Sequence, residues 1–452
     1  MSALLAPIGS SQARRIVLAG VAGILLTAPL SLQQAVAPHP VIGWMLTLAG
    51  AVLAVCCARQ SWVPSAAVAR AASAVCLVFC AVTVVLVIGP TVSAMGSTDR
   101  QLVCGDDIGL ETVGGGQAIL HGLNPYSSFD LLHVEVGFGC KSFQATVVRS
   151  GVFASATRAP SQQAIDAAAR ATLAGHPTGG LITAFDYPAG TALLGIIGAH
   201  GLVLLSLLAP LLAGCVLVLS VEPSARRAVA LALGAQTGTL AVIGTALPDS
   251  IVLALLMIAC VRRKGILGGA ALGLACAIKQ TAWFIALPLL VLSWREAGRG
   301  RARYAVAATV SCAAVNIPFA LADPPTWIKA VLAPQTQPTF PLGFGPGALL
   351  TGGSYSSGAL VVFSALMVAA VVAGTVWCVR APRSWAAPGV IIASLGLWVG
   401  SRSLGHYIAL LGVIAVATVA GSRQVDAIGG SVPSVTSVRP EEPMAGTRGA
   451  LV

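Results

Sequence analysis

Apolar runs long enough to cross a bilayer recur from Ile16 to Gly421, and the charges between them are too few to coat a water-facing surface. Only 9% of the 452 residues are charged and 56% are hydrophobic. A soluble domain carries about 25% charged residues. Lipid must therefore be the solvent for much of the chain. A spanning helix needs about 20 apolar residues. Such helices are expected near 16–36, 41–58, 71–93, 199–221, 227–247, 249–261, 265–279, 282–294, 304–321, 358–378, 387–400 and 406–421. The fold class expected is thus an all-α integral membrane bundle of about twelve transmembrane helices. The segments 249–261 and 265–279 are too short to stand upright in a bilayer and read as a tilted or re-entrant pair. Ala35-Val36-Ala37 resembles a cleavage site, but the apolar run before it exceeds a signal h-region, so an uncleaved first helix is expected.

The net charge of +11 would suggest nucleic acid in a soluble protein. Here the basic residues form short clusters between apolar runs, the pattern that sets membrane orientation. Threading from a cytoplasmic N-terminus puts 18 of the 26 Lys and Arg inside, among them Arg14, Arg15, Arg59, Arg262, Arg263 and Lys264. Ten of the fifteen acids fall outside. Both termini are then cytoplasmic, in a plasma membrane, and no nucleic-acid partner is expected. Residues 1–421 form the membrane domain, and 422–452 read as a disordered tail.

Two outer segments are long, 95–188 and 322–358, and loops above about 12–15 residues are usually functional or disordered. The first is partly helical: Ser161 opens a capped helix, and Asp166 and Arg170 stand four apart on it. Most cysteines lie in apolar runs and behave as small buried hydrophobes. Cys104 and Cys140 are the exceptions, both in the first outer segment on the oxidising side, and are expected to pair. No Cys/His spacing suggests zinc, and no metal is required by any visible pattern.

The chemistry-bearing stretch starts at Cys104-Gly105-Asp106-Asp107 and continues through Gly114-Gly115-Gly116 to His121-Gly122-Leu123-Asn124-Pro125-Tyr126. The triple glycine is not a phosphate loop, since no Lys-Ser/Thr follows it and no strand precedes it. Lys279 stands between two apolar segments with no basic neighbour; ionisable groups at membrane depth are costly and default to function. Arg402 and His406 stand four apart at the start of the last helix, which would place them on one face. Gly269 and Gly273 have the spacing of a helix-packing pair. Trp327 and the proline-rich stretch 334–346 suggest an external lid.

An acid at the outer end of a helix, then His-Gly-x-Asn-Pro-Tyr, resembles the first external loop of the GT-C glycosyltransferases. The nearest branch is the bacterial mannosyltransferases of mycobacterial lipoglycan assembly. Phe185-Asp186-Tyr187-Pro188, Pro248-Asp249, Gly273 through Lys279, and His406-Tyr407 continue the likeness in order over 95–420. Ala189 replaces an expected proline, Glu111 stands near an expected aromatic, and the first loop is long. The resemblance implies transfer of a sugar, mannose above all, from a polyprenyl phosphate to a lipid-linked or cell-envelope glycan on the outer face, with inversion. It implies no cofactor, a divalent metal being left open, and membrane lipids, the lipid donor and a glycan acceptor as partners. Asp107 is the first candidate base and Asp106 the second. Lys279, Arg402 and His406 would hold the donor phosphate. His121, Asn124, Tyr126, Asp186 and Tyr187 would face substrate. A transporter or flippase of lipid-linked saccharides, and a non-catalytic envelope scaffold, remain alternatives; no clear internal repeat favours the former.

Overall fold

The computed structural model of the chain describes residues 10–35, 40–236, 248–298, 301–400 and 402–422. Val36 and Ala37 of the cleavage-like tripeptide lie outside that set, as does the tail from 423 onward. The described residues are mainly helical: α1 Ser11–Ala35, α2 Pro40–Ala58, α3 Ala66–Met95, α4 Asp99–Val103, α5 Asp107–Leu120, α6 Pro125–Ser128, α7 Leu131–Phe138, α8 Gln162–Leu173 and α9 Ala189–Gly195. The series continues with α10 Gly198–Ser220, α11 Pro223–Gly234, α12 Asp249–Val261, α13 Ile266–Ile278, α14 Trp283–Glu296, α15 Arg301–Ala322 and α16 Pro324–Thr336. It closes with α17 Pro346–Leu350, α18 Ser357–Arg380, α19 Pro388–Ser394, α20 Gly396–Val399 and α21 Gly405–Gly421. Two short ladders complete the described fold: β1 (Thr146–Val147) antiparallel to β2 (Leu181–Ile182), and β3 (Leu342–Gly343) parallel to β4 (Arg402–Ser403).

Among the described residues, three helices are long and apolar enough to cross a membrane: Gly198–Ser220, Ala302–Ala322 and Ser357–Arg380. Their apolar side chains point outward rather than into a core. Leu211, Leu212, Val310, Val362 and Val372 are all exposed, a cost in water that lipid removes. In contrast, α21 is apolar on every side and buried along its length from Ile408 to Ala420, as befits a helix at the centre of a bundle. It packs on α1 and α12.

Local details depart from the sequence reading. The helix expected over 227–247 begins at Pro223 and stops at Gly234, with a turn at Ala235–Gln236; 237–247 lie outside the described residues. The span expected over 387–400 is two short helices meeting at Leu395. Asp166 does not pair with Arg170; its Oδ1 instead accepts the Phe143 N–H (3.0 Å) and the Gln162 amide (2.9 Å), since Asp166 on α8 faces the segment leading to β1.

Several basic residues expected on the cytoplasmic side are tied to neighbouring backbone, rings or acids. Arg15 donates to the Arg59 carbonyl (3.2 Å), and the Arg59 guanidinium lies 3.5 Å from the centre of the Trp385 ring. Arg295 donates to the Ala381 carbonyl (2.7 Å), and Arg263 pairs with Glu296 at 3.2 Å. The two long segments 95–188 and 322–358 are joined by backbone hydrogen bonds. Arg149 N–H donates to the Pro338 carbonyl (2.8 Å), and Tyr355 N–H to the Thr157 carbonyl (2.6 Å).

Glycine permits the close helix contacts. A Cβ on Gly269 or Gly273 of α13 would lie 2.1 Å from the Tyr304 or Ala308 carbonyl of α15. The triple glycine of α5 has the same use: a Cβ on Gly116 would lie 2.1 Å from the Gly195 carbonyl carbon of α9. On its other side α9 brings Gly190 against the Ala277 carbonyl of α13, and Thr191 donates its hydroxyl to the Ile278 carbonyl. Replacing Gly116 by Val overpacks this seam and should cost about 1–3 kcal/mol. Thermal unfolding of the detergent-solubilised protein should show a lowered midpoint for Gly116→Val. Gly137→Ala, at a helical glycine with open space around it, should leave the midpoint unchanged or raise it.

Candidate functional site

Asp106 and Asp107 sit where α4 turns into α5. Asp106 is the N-cap, its Oδ1 accepting the Ile108 N–H at 3.0 Å. Asp107 is the first helical residue; its Oδ1 accepts the same N–H (2.8 Å) and its Oδ2 the Thr146 hydroxyl (2.7 Å). A carboxylate at a helix N-terminus is stabilised by the helix dipole. The turn carrying both acids is anchored by a disulfide between Cys104 and Cys140, whose Cα atoms are 5.4 Å apart.

One turn further along α5, the buried Glu111 carboxyl accepts the Asp186 N–H at 3.1 Å. Asp186 itself is buried, and its carbonyl accepts the Gln280 side-chain amide at 2.7 Å. The segment 185–187 is fixed by aromatic packing: Tyr126 meets Phe185 edge-on at 5.3 Å and donates its hydroxyl to the Tyr187 carbonyl at 2.7 Å.

Lys279 caps α13 at its C-terminal end and is 1% exposed. Its Nζ lies 2.6 Å from Asp249 Oδ2 on α12, and 5.7 Å from the ring centres of both Tyr187 and Tyr407. Asp249 therefore serves the ion pair rather than capping its helix.

These elements surround a cavity of about 860 Å³. Asp106, Asp107, Asp186, Tyr187 and Arg402 line its polar end. Its roof is Pro334 with Thr336 to Thr339, and Tyr355. Ser357, Leu360, Val361, Ser364, Met367 and Val368 line one wall. They recur every three or four residues, so they form one face of α18, about 16 Å long at 1.5 Å per residue.

The four acids are not electrostatically equal. Burial pushes Asp106 well above the usual carboxylate range, and sharing a proton with Asp107 adds to this. Burial opposes ionisation of Asp107 too, but hydrogen bonds from Asp106 and Thr146, and the nearby Arg402 charge, outweigh it and hold Asp107 low. Glu111 is raised well above its ordinary value by burial and by the charges of Asp186 and Asp107. Burial and the Asp107 charge carry Asp186 to about 7. Near neutral pH the cavity thus presents Asp107 as its ionised carboxylate, flanked by proton-carrying neighbours.

The structure brings Asp106, Asp107, Asp186, Tyr187 and Arg402 together and separates others expected beside them. Lys279 is not among the residues lining the cavity; its ammonium pairs with Asp249. Arg402 and His406 do not share a helical face: Arg402 is in β4, ahead of α21. His406 is the second residue of α21, and its side chain lies outside the described set. His121 is exposed and lines a separate cleft with Gln117, Asp130 and His133. Asn124 caps α6 by accepting the Tyr126 N–H (3.1 Å), and the Tyr126 hydroxyl donates to the Tyr187 carbonyl.

Sequence reasoning missed Thr146, Gln280, Thr281 and the joining of Glu111 to the acid cluster. Glu111 was signalled by its four-residue spacing from Asp107. Nothing marked Thr146, which arrives from 39 residues away. Among the described residues, no group of three or more His, Cys, Asp and Glu is arranged to hold a metal ion. Comparison with protein-family models, with curated proteins and with solved structures gave no match.

Two outcomes check this electrostatic picture. Removing one partner of a buried ion pair costs about 3–5 kcal/mol, whereas removing both is far milder. Lys279→Met should therefore lower the thermal midpoint sharply, and the Lys279→Met/Asp249→Asn double variant should recover most of it. Asp186 titrates near 7 when folded and near the ordinary carboxylate value when unfolded. Its stabilising protonation is complete at acid pH and is lost as pH rises through 7. The midpoint of Asp186→Asn should accordingly gain on wild type as pH goes from 4.5 to 8.

Proposed function

We propose that this chain is a membrane glycosyltransferase of GT-C type, transferring mannose from a polyprenyl phosphate to a lipid-linked or cell-envelope glycan at the outer face of a plasma membrane. The observation carrying this reading is one cavity that joins an ionised carboxylate and a guanidinium at its polar end to an apolar face running down α18. That combination suits a substrate with a phosphate-linked sugar at one end and a hydrocarbon chain at the other. The proposed orientation, with both termini cytoplasmic and the acid cluster outside, follows the distribution of basic residues along the sequence.

In this reading, Asp107 accepts the proton of the acceptor hydroxyl as its oxygen attacks the anomeric carbon. The bond from that carbon to the phosphate oxygen breaks, the electron pair leaves with the phosphate, and configuration inverts. Arg402 meets the departing phosphate. Lys279, paired with Asp249, braces the wall on which Tyr187 and Tyr407 stand. Asp106 and Thr146 keep Asp107 oriented and ionised between turnovers.

The test is transfer of radiolabelled mannose from polyprenyl-phosphate mannose to an envelope lipid extract by the purified protein. General base catalysis contributes about 10²–10⁴-fold, so Asp107→Asn should lose at least a hundredfold in kcat while its thermal midpoint stays near wild type. Arg402→Gln should lose kcat/KM. Movement of intact lipid-linked mannose across proteoliposomes, with no cleavage of the sugar–phosphate bond, would overturn the transferase reading in favour of a carrier.

A further inference from the structure

With Lys279 committed to Asp249, the donor phosphate needs another partner beside Arg402. Residues Gln280–Ala282 form a single 3-10 turn that runs directly into α14. Neither the turn nor the helix has a side-chain cap. The Ala282 and Trp283 N–H groups donate to the Lys279 and Gln280 carbonyls, so an anion would meet the N–H groups that open the turn, with the helix dipole behind them. Gln280 and Thr281, at the head of this element, both line the cavity.

A second observation is independent of the helix. Thr281 is 5% exposed, and among the described residues its Oγ1 has no hydrogen-bond partner. A buried hydroxyl left unpaired is costly. The buried Nε of Arg402, across the same cavity, is also without a partner among the described residues. Both of these unsatisfied donors belong to residues that line the same cavity. Next to that space, Phe284 and the α18 face supply apolar wall.

We infer that Thr281, in the 3-10 turn that leads into α14, binds the phosphate group of a lipid phosphate together with Arg402. The Thr281 hydroxyl donates to a phosphate oxygen, as does the Arg402 Nε. The hydrocarbon chain then lies along α18. This assignment rests on the transferase reading for its substrate, but phosphate binding can be measured without sugar transfer.

The experiment measures equilibrium binding of decaprenyl phosphate, of neutral decaprenol and of inorganic phosphate to the full chain in nanodiscs. A hydrogen bond to a charged group is worth enough to shift affinity about tenfold. Thr281→Val, nearly isosteric, should bind decaprenyl phosphate about tenfold more weakly and decaprenol as wild type does. Thr281→Ser should restore binding to within about twofold of wild type. If the Val variant does not fold, Thr281→Ala is read in the same way. Equal binding of decaprenyl phosphate by wild type and Thr281→Val overturns the assignment, as does a matching loss for decaprenol, which would mark a packing effect. Inorganic phosphate competing as well as the lipid would overturn the lipid part. Thr281-dependent phosphate binding in a wild-type protein that transfers no sugar keeps the anion site and removes the transferase. Wild type that holds decaprenyl phosphate no tighter than decaprenol removes the anion site, whatever the transfer assay gives.

Discussion

Backbone-to-backbone contact across α5, α9 and α13 sets the position of everything else at the polar end. Gly116 and Gly195 let α5 approach α9 to a distance no side chain permits, and Gly190 does the same between α9 and the Ala277 carbonyl. In a bilayer, helices gain little from excluding water, so close packing and interhelical hydrogen bonds must hold them. The bond from Thr191 to the Ile278 carbonyl is one of these. Because α13 ends one residue later at Lys279, the seam brings the ammonium to the level of the acids at the start of α5. The acids belong to the long segment 95–188 and the amine to a buried helix end, and glycine brings the two into one electrostatic unit.

That unit divides its charges between structure and chemistry. Lys279 and Asp249 neutralise each other in a place where neither would remain charged alone. Arg402 is left as the cavity-lining cation among the described residues, opposite the ionised Asp107. Asp106, Glu111 and Asp186 crowd the same region, and repulsion together with burial keeps protons on them. A cluster of four carboxyls is tolerable there because few of its members carry charge at once.

The bundle was legible in the sequence because hydropathy is a sum over many residues and survives local error. The ends of α2, α12, α13 and α21 fall within a few residues of the apolar runs that mark them. The breaks were not legible: Leu395 interrupts a run with no proline or charge near it, and Gly234 ends a helix inside an apolar stretch. The acid pair and Arg402 could be read as chemical because each is a charge beside an apolar run. Partners could not be read. Whether Lys279 faces a ligand or Asp249 depends on how α12 and α13 pack, and their residues lie 30 apart in the chain. His121 and Tyr126 sit in one short motif, yet one lies in a separate cleft and the other braces the Tyr187 backbone.

The two-residue ladder between β3 and β4 also has a bearing on how this protein tolerates change. Leu342 and Gly343 pair in parallel with Arg402 and Ser403, so the guanidinium hangs from the same strip of backbone that continues into the cavity roof. Gly343 has φ +106°, a conformation that L side chains rarely adopt. The external segment and the cation are therefore mechanically one part: a side chain forced onto Gly343 twists the ladder and displaces a charge 59 positions away in sequence, with no change to any residue that touches the cavity.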